Sequence, residues 1–210
     1  MLRHSLYSTT TFTDVMNKEN TSDLARNLKT QVTILASFVA IMWIVEIADF
    51  IVFRGGLDQF GILPRHPSSL WGIFFMPFLH GNFPHLMANT VPFITLGWLV
   101  MVRSIRDFWL ATAIVIVVGG AGVWLFGSPG YHVGASGLIF GYLGFLLLRG
   151  LFERSFTGIM LSLVVGSAYG SLIWGVLPGR PGVSWEGHLF GFLSGVLAAY
   201  WLSRKTKIGV

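Results

Sequence analysis

Residues 127–149 read GSPGYHVGASGLIFGYLGFLLLR, a glycine-rich loop that runs straight into an apolar helix. The helical part, Ser136–Leu148, covers only about 20 Å at ~1.5 Å of rise per residue. A bilayer's hydrocarbon core is about 30 Å thick and takes roughly 20 apolar residues to cross. Arg149 marks the inner end of this run, so its outer end, at Ser136, is expected well below the outer surface. The loop Gly127–Gly134 then has to descend to meet it. Non-helical backbone at that depth is tolerated only inside protein or beside a water-filled cavity. The stretch therefore predicts a wet cavity open to the outside, with Ser136 at its floor.

The rest of the chain supplies the surroundings that such a helix needs. Of its 210 residues 53% are hydrophobic and only 11% charged, well below the charge of soluble domains. Besides Ser136–Leu148, five runs read as spans: Val32–Phe53, His85–Val102, Phe108–Phe126, Thr157–Leu177 and His188–Ser203. The shorter apolar run Leu70–Leu79, broken by Pro77, reads as an interfacial or re-entrant piece between the first two spans. The expected fold is an all-α integral membrane protein with six transmembrane helices. Residues 30–203 form its membrane domain, 1–29 a polar N-terminal tail with an interfacial helix near Leu24–Lys29, and 204–210 a C-terminal tail.

Charge sets the orientation. Arg26 and Lys29 precede the first span, Arg103 and Arg106 separate the second and third, Arg149 and Arg154 the fourth and fifth, and Arg204, Lys205 and Lys207 follow the sixth. Cationic loops face the cytoplasm, so both termini are expected there, and spans two, four and six all run from outside to inside. The formal charge of +5 forms no basic patch interleaved with aromatics, which argues against nucleic acid as a partner. With no cysteine, the chain has neither disulfides nor thiolate metal sites. No signal peptide or transit peptide is recognisable at the N-terminus, and a bacterial inner membrane is the expected location.

Several polar residues converge on the predicted floor. Ser136, at the start of span four, has unpaired helix N–H groups beside it that could hold an oxyanion, though by itself it also reads as an ordinary N-cap. His188 opens span six next to Gly187. Gly187, Gly191 and Gly195 form a small-residue stripe there, matched by Gly137 and Gly141 on span four. Such stripes would bring the imidazole within reach of the Ser136 hydroxyl, as a general base requires. His85 and Asn89 share one face at the outer end of span two and could donate to an oxyanion or simply bond neighbouring helices. His80 is expected to tie loop backbone together. Zinc on His80, His85 and His188 is not expected, because no intramembrane carboxylate stands at a ligand spacing. Glu46 and Asp49 in span one read as a proton relay or as interhelical hydrogen-bonding groups. Glu186 falls in a mobile-looking loop and receives no role.

In this order and at these helix ends, HGNFPHLMAN (residues 80–89), GASG (134–137) and GHLFGFLSG (187–195) resemble the rhomboid intramembrane proteases over roughly residues 32–203. The resemblance implies a serine endopeptidase that cleaves transmembrane substrates near the outer membrane face, without a metal or organic cofactor. Ser136 would be its nucleophile and His188 its base. His85 and Asn89 would line the oxyanion hole with the Ser136 N–H, and Ala135, in the same loop as Gly134, would offer a further N–H. Gly191 and Gly195 would face span four, and Leu70–Leu79 would be the family's membrane-embedded loop. Two positions depart from the family pattern. Gly72 follows Trp71 where the family often has arginine, and Phe140 stands where a tyrosine commonly stacks on the base. The alternatives are a non-catalytic member of the same fold that holds membrane clients, and a proton-coupled transporter using Glu46, Asp49 and the histidines.

Overall fold

The computed structural model describes residues 12–179 and 182–208, with side chains described from 22 to 179 and from 182 to 204. Among the described residues, six long helices form one bundle: α1 (Phe12–Ala48, continued by a π-turn at Asp49–Phe53), α2 (Phe83–Arg103), α3 (Ile105–Phe126, with a π-turn at Val115–Gly119), α4 (Ser136–Glu153), α5 (Phe156–Tyr169, continued as a 3₁₀ turn over Gly170–Val176) and α6 (Trp185–Ile208). The first five are long and apolar enough to cross a membrane. The sixth is long enough, but Glu186, His188 and its glycines dilute its apolar character. Short polar side chains open three of the helices. Asn82 accepts the His85 N–H, Ser104 the Asp107 N–H and Ser155 the Gly158 N–H, each satisfying an N-terminal donor that has no partner one turn earlier.

Several expected boundaries move: α3 starts at Ile105 instead of Phe108, α6 runs from Trp185 to Ile208 instead of His188–Ser203, and two further changes bear on the argument. The helix anticipated at Leu24–Lys29 is not separate, because α1 is continuous from Phe12 through it. The fourth span does not stop at Leu148 either. Helix α4 runs on to Glu153, since Arg149 is no boundary charge: it is 4% exposed and ion-paired. Its guanidinium meets Asp107 at 3.1 Å and Glu153 at 2.6 Å, and Glu153 also pairs with Arg103. Two cations and two carboxylates neutralise one another, the condition under which buried charge is tolerated. The network ties α2, α3 and α4 together, and Arg149 reaches α6 at the Ala199 carbonyl.

Helix α4 lies at the centre. Tyr142, Leu143 and Phe145 are fully buried, and Tyr142 packs between Phe93 and Phe108 while its hydroxyl meets Thr112 Oγ1 at 2.8 Å. Its contact with α6 is backbone on backbone. A Cβ on Gly191 would overlap the Gly137 carbonyl, and one on Gly195 would overlap the Gly141 carbonyl. The pairs advance together by one helical turn, 137 with 191 and 141 with 195, so the two helices run in the same direction.

Between α1 and α2 the chain forms a loop of short turns: Gly56–Phe60, Pro67–Ser69, Gly72–Phe75 and Met76–Phe78. Trp71, Phe74 and Phe75 point their apolar surface outward, whereas Met76, Pro77, Leu79 and His80 turn inward. The loop is stitched to the bundle by backbone pairing between Ile62 and His132 and by Arg65. The Arg65 Nη1 donates to the Leu125 and Gly127 carbonyls and its N–H to the Trp124 carbonyl, closing the C-terminal end of α3. Gly72, the first departure from the family pattern, is buried with its Cα against the Gly61 carbonyl, where no side chain fits. Gly72→Ala should therefore destabilise the protein by about 1–3 kcal/mol, and Gly72→Arg by more. Thermal unfolding in detergent checks this, and an unchanged or raised Tm for Gly72→Arg would show that the loop packs differently.

Candidate active site

The α4–α6 seam determines where Ser136 and His188 lie. Gly137 faces both Gly191 and the Gly187 carbonyl, which stands 3.6 Å from where a Gly137 Cβ would be. Ser136 precedes Gly137 and His188 follows Gly187, so both side chains emerge beside the crossing. One turn after Ser136, Phe140 lies parallel to the His188 ring, centroids 4.1 Å apart and planes inclined by 6°. The second departure from the family pattern thus keeps the stacking surface and lacks only a hydroxyl. On the ring edge, His188 Nδ1 lies 2.9 Å from the Gly175 carbonyl. A carbonyl only accepts, so Nδ1 carries the proton and Nε2 keeps a lone pair. Among the described residues, neither Nε2 nor the Ser136 hydroxyl has a hydrogen-bond partner, and no bond joins them. Such contacts are often long in unliganded enzymes and tighten with substrate.

The opposite wall comes from α2. Gly134 takes φ +119°, a conformation that suits glycine, and a Cβ there would press on His85 Cε1 at 2.7 Å and Nε2 at 2.9 Å, with Asn89 Nδ2 at 3.5 Å. His85 and Asn89 therefore stand close against the loop before Ser136, leaving no room for a side chain at Gly134. Asn89 Nδ2 is buried with no acceptor, an unmet donor aimed at the place where the loop turns into α4. Ala135, expected to offer a further N–H, has that N–H engaged in this structure, donating to His80 Nε2 at 3.3 Å. The N–H of Ser136 and those that follow lie in the first turn of α4, where no intrahelical acceptor exists.

His80 is a loop fastener, as its position in the sequence indicates. Its ring is 2% exposed and sits 5.2 Å from that of His85. Burial, with the His85 ring adding to it, holds the His80 imidazole down at about 3, and the neutral ring is what lets Nε2 accept from Ala135.

His85, Asn89, Ser136 and His188 all line one cavity of about 680 Å³. Ser128, His132 and Ser184 also line it. His132 escaped the sequence reading, since a lone histidine between glycines carries no periodic signal. It is 6% exposed, with Nδ1 2.6 Å from Ser184 Oγ and Nε2 2.9 Å from the Ser128 carbonyl. Glu186 is likewise no loose loop residue. It is 3% exposed and accepts the Ser128 N–H at 2.8 Å. Glu46 and Asp49 are buried at the far end of α1, with Asp49 Oδ1 accepting the Leu57 N–H, and neither lines this cavity. Among the described residues, no three of His, Asp and Glu are disposed to hold a metal ion.

Comparison with known proteins adds a family. The profile of the Rhomboid domain matches residues 67–205, a stretch that contains His85, Asn89, Ser136 and His188 and leaves out α1. An uncharacterized protein of Mycobacterium tuberculosis is 46% identical over 184 residues, 83% of this chain and 76% of its own length. One from Mycobacterium leprae is 46% identical over 188 residues, covering 84% and 74%. RHOMBOID-like protein 1 of Arabidopsis thaliana is 28% identical over 165 residues, 74% of this chain and 40% of the plant protein.

The neutral state of His80 has a sign that can be measured. An unfolded chain protonates this imidazole near its ordinary 6.5, whereas the folded protein resists until about 3. Between those values the unfolded state binds more protons, so stability should fall as pH drops through the window. Melting temperatures in detergent should decline from pH 6.5 downward, and His80→Gln, which keeps an acceptor without a titrating group, should flatten that decline. An identical slope in parent and variant would remove His80 from the account.

Proposed function

The chain belongs to the rhomboid family, and from that premise we propose that it is an intramembrane serine endopeptidase working through Ser136 and His188. One observation carries the reading: a free hydroxyl, a tautomer-fixed imidazole and an unmet amide donor face the same cavity from α4, α6 and α2. Ser136 Oγ attacks the scissile carbonyl while His188 Nε2 takes its proton. The resulting oxyanion is held by the Ser136 N–H, the Asn89 amide and His85. His188 then returns the proton to the departing amine. Water entering through the cavity hydrolyses the acyl-enzyme, with His188 again as base, and frees Ser136. No cofactor enters these steps.

The substrates are transmembrane segments of other proteins, reached within the lipid bilayer. Such a segment must expose its peptide bond before attack, so helix-weakening glycine or proline near the cut favours cleavage. Cationic Arg106, Arg154 and Arg204 at one end of the bundle support cytoplasmic termini and cleavage toward the outer face. The proposed location is a bacterial inner membrane; the mycobacterial relatives bear on the bacterial part of that reading.

Labelling by a fluorophosphonate probe, run beside cleavage of a transmembrane substrate in liposomes, tests the proposal. Ser136→Ala and His188→Ala should each lose about a thousandfold or more of the activity, and Asn89→Ala about a hundredfold. If Ser136→Ala cleaves as well as the parent, the fold is serving to hold clients and the protease reading is wrong.

A further inference from the structure

We propose that Glu186 and His132 are positioning residues, forming a clasp that sets the approach of Ser136 to His188; this rests on the protease reading above. The glycine seam fixes α4 and α6 from Gly137 inward, against Gly187 and Gly191. Ahead of that crossing lie the loop Gly127–Gly134, which leads into Ser136, and the segment from Gly182, which leads into His188. Nothing in the seam fixes those two outer segments against each other. The clasp does so.

Its bonds form a closed circuit. Glu186, two residues before His188, accepts the Ser128 N–H at 2.8 Å. The Ser128 carbonyl faces His132 Nε2 at 2.9 Å, which places a proton on that nitrogen and leaves Nδ1 as an acceptor. The Ser184 hydroxyl donates to Nδ1 at 2.6 Å, and its oxygen accepts the Gly187 N–H at 3.1 Å. The Ser184 carbonyl accepts the His188 N–H at 3.2 Å, closing the first turn of α6. Loop and helix start are thus joined at two points, His132 to Ser184 and Ser128 to Glu186. The other Glu186 oxygen, Oε2, is buried without a partner. A half-satisfied buried carboxylate is a poor stabiliser. Its presence two residues from the base fits a geometric role.

The chain has no cysteine, so a spin-label pair can be placed at will. Tyr131→Cys and Val183→Cys, both at exposed positions, put one label on each side of the clasp. Distances between the labels are compared with kcat and KM for transmembrane-substrate cleavage, each normalised to the number of fluorophosphonate-reactive sites so that misfolded protein drops out. Glu186→Ala and Ser184→Ala should broaden the distance distribution and lower kcat per site by about tenfold or more, with KM held within about twofold. Glu186→Gln and Ser184→Thr keep the acceptor and the hydroxyl, and should restore both readouts. Distances like the parent's, or an unchanged kcat per site, overturn the clasp; a role confined to stability would lower the number of reactive sites alone. A parent that neither labels nor cleaves sinks the protease reading instead, and the distance arm then decides by itself whether the clasp exists.

Discussion

The whole site depends on how closely α4 and α6 approach. Their backbones touch at Gly137–Gly191 and Gly141–Gly195, where even one methyl group would overlap a carbonyl. In lipid there is little hydrophobic drive to press helices together, so close packing of small residues must do it. Because the two helices run in parallel, a seam that begins at their outer ends brings the residues just before it, Ser136 and His188, to a common level. Phe140 then lies flat on the imidazole one turn along. A larger residue anywhere in the seam would separate the hydroxyl from the ring without touching either.

Around that seam most polar groups have partners, which makes the exceptions informative. The Ala135 N–H is taken by His80, the Gly134 N–H by the Met76 carbonyl, and the Arg149 charge by Asp107 and Glu153. Against this background Asn89 Nδ2 stands buried without an acceptor. An unmet donor in such a place costs on the order of 1–3 kcal/mol. On the proposed reading, an oxyanion supplies what it lacks only during reaction, and stabilisation present in the transition state and absent in the ground state is what accelerates chemistry.

The sequence made the seam legible because glycines at a four-residue spacing on two helices of known direction have few other uses. It also made legible the histidine and asparagine on α2, one turn apart. What it hid depended on contacts between segments that have no periodicity. Arg149 looked like a boundary charge because its partners, Asp107 and Glu153, come from elsewhere in the bundle and from the turn beyond it. Gly72 looked like a lost arginine until the Gly61 carbonyl was found beneath it. Ala135 looked free because the ring that takes its N–H lies 55 residues away. His132 and Glu186 meet Ser184 and Ser128 only after two loops fold over one another, and no spacing within either loop announces that.

The packing is also lopsided in a way that bears on the proposed chemistry. Helix α4 is the most enclosed of the spans, whereas α5 leaves Phe156, Leu163, Val164 and Trp174 exposed and buries little of its length. Between α2 and α5 the Thr95 and Tyr169 hydroxyls meet at 2.6 Å, beside a cavity that both helices line. Hydrolysis of a peptide bond inside a bilayer sets two opposed demands. The reacting groups must be held to a fraction of an ångström, yet a substrate helix must reach them from the lipid. On the proposed reading, a chain that puts its closest packing on the α4–α6 side, and its loosest on α5, would meet both demands by keeping rigidity and access on different helices.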